Sequence, residues 1–232
     1  MEIAQFRYMA DNLAYVLHGP SQALVVDGGA VEDIREYIAA RGLTPVLVTN
    51  THRHPDHTAG TRELVAALGC PYADPDDALA QGEILLNNEA VRAISTPGHT
   101  MDSLCFLAPG FAVTGDTLFN ATVGNCFTGD VEAFFRSLKT IMAWPPETFI
   151  YSGHDYVDQS LAFAWHLEPD NPAITAYEAK YDPALVRSTL ADEFSVNPYL
   201  RFNAPPMIRL LKDRNLPVET EFERFSSVMR LG

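Results

Sequence analysis

The sequence predicts an α/β fold followed by a C-terminal all-helical domain. Up to about residue 157, short β-rich runs alternate with turns and a few helical segments, whereas the later segments all have helical periodicity. The length of 232 residues is sufficient for a domain of ordinary size with a smaller appendage. We therefore predict one domain over residues 1–157 and a helical domain over residues 158–232.

The first domain begins with four predicted strands. They are rich in Val, Ile, Tyr and Leu, are bounded by the turn signals ADN, HGPS and DGG, and read IAQFRYM, LAYVLH, ALVVD and PVLVTN. A helix is predicted from Val31 to Arg41, because apolar residues recur at helical spacing and Gly42 is a typical helix stop. A second helix, from Thr61 to Gly69, is predicted for the same reasons.

The rest of the first domain repeats this alternation. Four further runs are strand-like, and they read VRAIST, SLCFLA, FAVTG and TFIYSG. Between the last two, the segment VEAFFRSLKTIMAW has the apolar periodicity of an amphipathic helix. Strands and helices are thus expected in both halves of the domain.

Five helical segments predict the second domain. They are separated by Pro, Asn or Asp, and they read SLAFAWHLE, PAITAYEAKY, STLADEFS, PPMIRLLKD and EFERFSSVMRL. No strand-like run interrupts them, so we expect this domain to contain helices only.

The charge balance restricts the partners of the protein. Lys and Arg total 16 against 30 Asp and Glu, and the net charge of -14 argues against a nucleic acid held through its phosphates. The segment MEIAQFRYMADN has no charged region followed by an apolar one, as a secretory signal would, and no apolar stretch approaches membrane-spanning length. We expect a cytoplasmic monomer or small homo-oligomer that acts on a small molecule, with no nucleic-acid or membrane partner.

The cysteine pattern agrees with a reducing compartment. Cys70, Cys105 and Cys126 are an odd number, widely spaced and without a CxxC pair, which favours reduced thiols over a disulfide framework. Cys105 lies in an apolar run and is expected in the core. None is predicted to be a nucleophile.

The segment NTHRHPDHTAG carries the main chemical signal. It places His52, His54, Asp56 and His57 within six residues after a predicted strand. In an extended segment, residues two apart point the same way, so His52 and His54 can hold one metal ion. Asp56 and His57 reach a different point because the chain turns where the next helix begins. A single ion would leave donors idle, whereas two adjacent ions would use all four.

Three more candidate ligands follow later strands. His99 lies in the turn after VRAIST, Asp116 follows FAVTG, and His154 follows TFIYSG. Loops at strand ends are where layered proteins gather their functional groups, so these residues are expected to join the first four. His18 and His166 are expected to be ordinary turn and helix residues.

This pattern resembles that of the metallo-β-lactamase-fold hydrolases, whose HxHxDH motif and downstream His, Asp and His match one by one. The resemblance implies an αββα sandwich with two metal ions. It implies that one ion is held by His52, His54 and His99, and the other by Asp56, His57 and His154. Asp116 would bridge both ions, and we assign the catalytic carboxylates to Asp56 and Asp116. Asp27, in VVDGG, matches the family's Asp that supports a metal-binding His, although a plain turn residue is the alternative.

Within that superfamily the whole chain resembles the glyoxalase II group, the hydroxyacylglutathione hydrolases. The segments GDTLF, SGHDY, LEPDN and STLADEFSVNPYLR look like that group's blocks. The likeness implies substrate contacts from Asn125, Phe127 and Tyr156. GNCFTG carries Asn125 where the group has a basic residue, and SSVMRLG lacks the group's late Arg and Lys. Either Arg201 or other residues of the helical domain compensate, or the acyl carrier is a different thiol.

Two divalent ions that share a water lower its pKa from about 15.7 towards 7, so that a metal-bridging hydroxide can attack a carbonyl. A thiol of pKa about 8.5 can leave as a thiolate without a general acid, whereas an amide nitrogen must be protonated. No further histidine or carboxylate is obviously placed as such an acid. The expected reaction is therefore hydrolysis of a thioester, such as lactoylglutathione or a related acyl-thiol.

Other functions remain open at this stage. A persulfide dioxygenase with one iron carries a similar HxHxDH motif, although such enzymes generally lack the long helical domain. A phosphodiesterase or nuclease would use the same metal core but usually a basic surface. A protein that binds metal without catalysis is the third alternative. Zn, Fe and Mn all suit these ligands, and Zn is our first choice.

Overall fold

Two β-sheets packed face to face form the centre of the computed structural model, which describes residues 1–232. The first sheet has the strand order β1 (Glu2–Tyr8), β2 (Asn12–His18), β3 (Gln22–Val26), β4 (Thr44–Thr49), β5 (Tyr72–Ala73). Strands β1 to β3 are antiparallel neighbours, whereas β3, β4 and β5 run parallel. The four strands predicted before residue 51 are thus confirmed.

The second sheet has six strands and completes the sandwich. In chain order they are β6 (Glu83–Leu86), β7 (Glu89–Ser95), β8 (Leu104–Ala108), β9 (Phe111–Gly115), β12 (Phe149–Ser152) and β13 (Ser188–Thr189). Two short strands, β10 (Leu118–Phe119) and β11 (Thr122–Val123), form a separate hairpin between β9 and β12 along the chain. In the sheet, β12 lies parallel to β9 and antiparallel to β13.

Ten helices accompany the sheets. They are α1 (Val31–Arg41), α2 (Pro55–Thr58), α3 (Thr61–Leu68), α4 (Pro75–Gln81), α5 (Val131–Met142), α6 (Val157–Leu167), α7 (Pro172–Glu178), α8 (Leu190–Val196), α9 (Pro205–Asp213) and α10 (Glu221–Met229). The predicted helices ending at Gly42 and Gly69 are confirmed, and both glycines adopt the left-handed conformation that closes a helix. Helix α4 and strand β6 were not predicted.

Side-chain alternation along β2 shows how the layers pack. Leu13, Tyr15 and Leu17 enter the core between the two sheets, whereas Ala14 and Val16 face the opposite way. That second face is covered by buried residues of α1 and α3. This two-residue period is the one expected for a strand buried on both faces. The predicted αββα sandwich is confirmed.

The C-terminal region covers the outer face of the second sheet. Side chains of α5, α9 and α10 form one buried cluster there, with Phe134, Met207 and Phe225 among its fully buried members. The region is helical as predicted, with one correction. Ser188 and Thr189 pair with β12 as strand β13, so the segment STLADEFS becomes helical only at Leu190, after a Thr189 capping box.

No helix of the chain combines the length and apolarity required to cross a bilayer. The three cysteines are unpaired, and Cys105 is fully buried in the core, as expected.

Candidate metal centre

The candidate ligands lie in the segments that follow four strands of the sandwich, and Asp56 and His57 lie in the short helix α2. His52 and His54 come after β4, His99 after β7, Asp116 after β9 and His154 after β12. The main chain also connects these loops, because Gly153 donates its backbone N–H to the carbonyl of Gly115 at 2.9 Å. Residues that are more than 100 positions apart therefore meet at one edge of the two sheets.

The structure brings all seven predicted ligands together, in two groups. The donor atoms of each group lie within 4.8 Å of one another. The first donor cluster contains His52, His54, His99 and Asp116, and the second donor cluster contains Asp56, His57 and His154. This division agrees with the one implied by the resemblance, and metal coordination by each residue stays a prediction.

Asp116 lies between the two donor clusters. Its Oδ2 is 3.3 Å from Nε2 of His99, in the first cluster. Its Oδ1 is 3.3 Å from Nε2 of His57, and its Oδ2 is 3.5 Å from Nε2 of His154, both in the second. A single carboxylate thus faces both groups of donors, which is the position that a bridging ligand requires.

The backbone explains why neighbouring residues join different clusters. His54 is extended, with φ -62° and ψ 144°, and Pro55 then begins the short helix α2. Arg53 points away from the site and donates to Asp74, Asp76 and Asp102 at 2.6 to 3.2 Å. The alternation in the extended segment and the turn into α2 therefore place these candidate ligands in two different donor clusters.

In the buried imidazoles of the centre, Nδ1 contacts a polar group that belongs to neither donor cluster. Nδ1 of His99 contacts the carbonyl oxygen of Asn125 at 2.9 Å, and Nδ1 of His154 contacts Asp11 at 2.8 Å. Nδ1 of His52 lies 3.0 Å from the hydroxyl of Thr51. These contacts leave each Nε2 directed into the centre, which is the arrangement that orients metal-binding histidines.

Asp27 makes the corresponding contact with Nδ1 of His57. It is fully buried, and its Oδ2 lies 2.9 Å from Nδ1 of His57. The carboxylate also accepts hydrogen bonds from the backbone N–H and the hydroxyl of Thr51, both at 2.8 Å. Asp27 has a positive φ of 56°, a conformation that Asp tolerates better than most residues. Its predicted position beside a histidine agrees with this geometry.

Asp11, in the turn between β1 and β2, and Asn12, the first residue of β2, contact the centre but were not predicted to do so. Asp11 binds His154, and the side-chain amide of Asn12 donates to Oδ2 of Asp56 at 2.9 Å. The sequence ADN was interpreted only as a turn signal. An available signal was that Asp11 and Asn12 follow a strand-like run, as several of the candidate ligands do.

The electrostatics of the centre favour a cation. Burial and the charge of His57 lower the pKa of His52 to about 4. Burial opposes the charged form of His57, but Asp27 and Asp116 raise its pKa well above the usual value. Burial also opposes ionisation of Asp116, yet the adjacent rings of His154 and His57 hold its pKa well below the usual range. The buried carboxylate of Asp116 is thus ionised and requires positive charge nearby.

Two buried polar atoms provide an independent test of whether a metal fits. Nε2 of His52 and Oδ1 of Asp116 have neither solvent exposure nor a hydrogen-bond partner. Buried polar atoms are normally satisfied, so each such exception requires an explanation. An imidazole nitrogen and a carboxylate oxygen that both face a cluster of donors are suited to a divalent ion.

The residues predicted to contact the substrate differ in whether their side chains are exposed or already paired. The ring of Phe127 is 67% exposed and its centroid lies 5.1 Å from that of His99. Tyr156 stacks on His154, with a centroid distance of 5.0 Å and an interplanar angle of 6°. Asn125 contacts His99 through its backbone. The guanidinium of Arg201 forms two hydrogen bonds with Glu168, at 2.6 and 2.9 Å, and is therefore already paired.

Comparison with known proteins adds family information to this geometry. The family model described as metallo-beta-lactamase superfamily matches residues 10–83, and the one described as hydroxyacylglutathione hydrolase C-terminus matches residues 155–229. The chain is 32% identical to the hydroxyacylglutathione hydrolase of Pseudoalteromonas translucida, over 91% of this chain and 89% of the relative. It is 33% identical to that of Methylococcus capsulatus, over 99% and 97%.

Solved structures share the fold at lower identity. A crystal structure of ETHE1 from Myxococcus xanthus has a TM-score of 0.69, is 21% identical, and is matched over 98% of this chain and all of that one. At this identity the similarity supports the architecture alone.

Proposed function

This chain belongs to the hydroxyacylglutathione hydrolase family of the metallo-β-lactamase superfamily, and on that premise we propose that it hydrolyses the thioester bond of an acyl-glutathione. The observation that carries the proposal is the pair of donor clusters with Asp116 between them. The His and Asp donors, in this fold, indicate a divalent metal centre. We propose two ions per chain, with Zn as the metal.

Divalent cations held in such a centre supply a hydroxide at neutral pH and polarise the carbonyl that it attacks. The residues of this chain then have separate tasks. His52, His54 and His99 would hold one ion, and Asp56, His57 and His154 would hold the other. Asp116 faces both donor clusters and could contribute to either. Asp27, Asp11 and the carbonyl of Asn125 keep the rings in the required orientation.

The leaving group explains why a thioester suits this site. A thiolate can depart without a proton, because the pKa of a thiol is near 8.5. Burial and the charges of Asp11 and Asp116 raise the pKa of Tyr156 to about 12, so its phenol stays protonated at neutral pH. Tyr156 can therefore donate a hydrogen bond to the thiol portion of the substrate beside His154.

Few of the residues predicted to contact the substrate offer a positively charged side chain to its thiol portion. Arg201 is paired with Glu168, and Asn125 is uncharged. We propose that Phe127 and Tyr156 make the main contacts to the acyl-thiol, through ring surface and a phenol hydrogen bond. A role of Arg201 in binding glutathione would require its pair with Glu168 to open.

The test combines elemental analysis with a panel of substrates. Protein purified with its natural metal content is analysed for Zn, Fe and Mn, then assayed on lactoylglutathione, other acyl-glutathiones and thioesters of other thiols. We expect two ions per chain and turnover of at least one acyl-glutathione. One iron per chain with consumption of oxygen and a persulfide would favour the dioxygenase alternative. Two ions without turnover of any thioester would contradict the proposal.

A further inference from the structure

Glu193 is a buried acid that plays no direct part in the proposed reaction. It lies in α8 of the C-terminal region, is fully shielded from solvent, and belongs to neither donor cluster. Its carboxylate accepts hydrogen bonds from Tyr177 at 2.9 Å, from Ser188 at 2.7 Å and from the amide of Asn197 at 2.9 Å. A buried acid with this many donors has a definite structural task, because desolvating it is costly.

The fourth partner of Glu193 is the backbone of the loop after β9. The N–H of Ala121 donates to both carboxylate oxygens, at 2.9 and 3.1 Å. Ala121 has a φ of 68°, a left-handed conformation that is unfavourable for a residue with a Cβ. Such a conformation persists only where the surroundings impose it. The carboxylate of Glu193 therefore holds the turn at Ala121.

A first branch leads from this turn to the second donor cluster. Ser188, which donates to Glu193, accepts a hydrogen bond from the side-chain amide of Asn120 at 2.7 Å. The oxygen of that amide lies 2.8 Å from the hydroxyl of Ser152, which lies 2.7 Å from the carbonyl oxygen of His154. All these side chains are buried. The single hydroxyl proton of Ser152 is shared between these two oxygens, so the backbone of His154 is linked to Glu193 through buried polar contacts of hydrogen-bond length.

A second branch leads to the first donor cluster. Asn197 donates both to Glu193 and to the carbonyl of Thr122, at 2.9 Å each, and so fixes β11 just after Ala121. The chain then reaches Gly124, where a side chain would collide with the carbonyl oxygen of Asp116. The next residue, Asn125, presents the carbonyl that contacts Nδ1 of His99.

We propose that Glu193 is a positioning residue that aligns His99 and His154 through the loop from Asn120 to Asn125. The C-terminal region thereby contributes to the metal centre without supplying a ligand. This inference rests on the proposed metal centre, but not on the identity of the substrate. It assigns to the segment STLADEFSVNPYLR a function in preparing the centre, in addition to packing.

Two substitutions separate the carboxylate's hydrogen bonds from its volume. Glu193→Leu is similar in size but leaves the N–H of Ala121 and the amide of Asn197 without an acceptor. Glu193→Gln retains one acceptor oxygen for those two obligate donors. Its amide would then face Tyr177 and Ser188, whose hydroxyls can rotate to accept. The Gln variant should therefore preserve the loop, and the Leu variant should not.

The experiment measures Zn²⁺ affinity by competition with a chromophoric chelator, at a temperature where far-UV circular dichroism shows a native fold. We expect Glu193→Leu to bind Zn²⁺ about 10- to 100-fold more weakly, as found for residues that orient metal ligands, and Glu193→Gln to bind it nearly as the wild type does. Equal affinity of Glu193→Leu and wild type would overturn the proposal.

Val228→Ala is the matched control for a general loss of stability, because Val228 is fully buried on α10 and outside this network. It should lower the melting temperature and leave Zn²⁺ affinity unchanged. A loss of Zn²⁺ affinity equal to that of Glu193→Leu would contradict specific positioning.

If Glu193→Leu does not fold, Ser188→Ala provides the test, because it breaks only the branch to His154 and should weaken one Zn²⁺ site. Two unchanged sites in that variant would overturn the proposal. No thioester is needed, so failure of the hydrolase assignment is a separate result.

Discussion

Nδ1 of His57 lies 2.9 Å from the carboxylate of Asp27, and both side chains are completely shielded from solvent. The same carboxylate binds the hydroxyl of Thr51, which in turn contacts Nδ1 of His52. Asp27 therefore orients one ring directly and another through a single hydroxyl. Since His52 and His57 belong to different donor clusters, this one buried acid influences both positions of the centre.

Replacing Asp27 with Asn should weaken metal binding at both positions. Asn tolerates the positive φ at this residue, so the backbone is preserved while the negative charge is lost. We expect a decrease of about 10- to 100-fold in metal affinity, measured by chelator competition. Asp33→Asn, at an exposed position of α1, is the control and should leave the affinity unchanged. A normal affinity of Asp27→Asn would show that orientation of His57 does not depend on this charge.

The convergence of the candidate ligands was predictable because of where these residues stand in the sequence. His52 to His57 form a dense motif, and His99, Asp116 and His154 each follow a strand-like run. Strand ends of a layered fold meet at one edge, so local patterns were enough to expect their convergence. The αββα sandwich was implied by the family resemblance, and the apolar residues on both faces of its central strands agree with it.

The surrounding contacts were less predictable because they join distant parts of the chain. Asp11 is 143 positions from His154, and its short turn resembles any other polar turn. Ser188 and Thr189 are too few to show strand periodicity, and they pair with β12 only because the helical region places them there. The pairing of Arg201 with Glu168 depends on the packing of the C-terminal region, which residue spacing does not reveal.

Removing ligands should distinguish the centre from other histidines. His54→Ala and Asp116→Ala should both lower metal content and hydrolysis, and Asp116→Ala should have the larger effect because its carboxylate faces both clusters. His166→Ala, at an exposed position of α6, should change neither quantity. Elemental analysis and the thioester assay measure the two effects on the same samples. Full metal content in Asp116→Ala would be incompatible with a ligand at that position.

Metal uptake should release protons at neutral pH. In the metal-free protein Asp27 and Asp116 outweigh the effect of burial and raise the pKa of His57 well above 6.5, so its ring is protonated at pH 7. A ligating imidazole must lose that proton, and affinity should therefore fall as the pH is lowered. Titration calorimetry in buffers of different ionisation enthalpy measures the protons released. A heat that is independent of the buffer would contradict the expectation.

Substitutions beside the centre should affect the substrate and not the metal. Tyr156→Phe keeps the ring that stacks on His154 and removes only the phenol donor. A lost hydrogen bond of about 0.5–1.5 kcal/mol corresponds to a decrease of roughly 2- to 10-fold in kcat/KM. Phe127→Ala should raise KM, because it removes an exposed ring next to His99. Metal content should remain at the wild-type value in both variants, and a loss of metal would place these residues in the centre instead.

The Glu193→Gln variant should change the pH dependence of stability. Burial raises the pKa of Glu193 to about 7 from its ordinary value of 4.5, although hydrogen bonds from Ser188, Asn197 and Tyr177 oppose the shift. Between these pH values the folded protein binds more protons than the unfolded chain. The contribution of Glu193 to the free energy of unfolding is therefore complete below pH 4.5 and is lost as the pH rises through 7. At about 1.4 kcal/mol per pKa unit, the free energy of unfolding falls by an amount on the order of 3 kcal/mol. Glutamine cannot titrate, so the stability of the variant relative to wild type should increase from pH 5 to pH 8. Denaturant unfolding of both metal-free proteins across this range measures the difference, and a constant difference would mean that Glu193 stays ionised throughout.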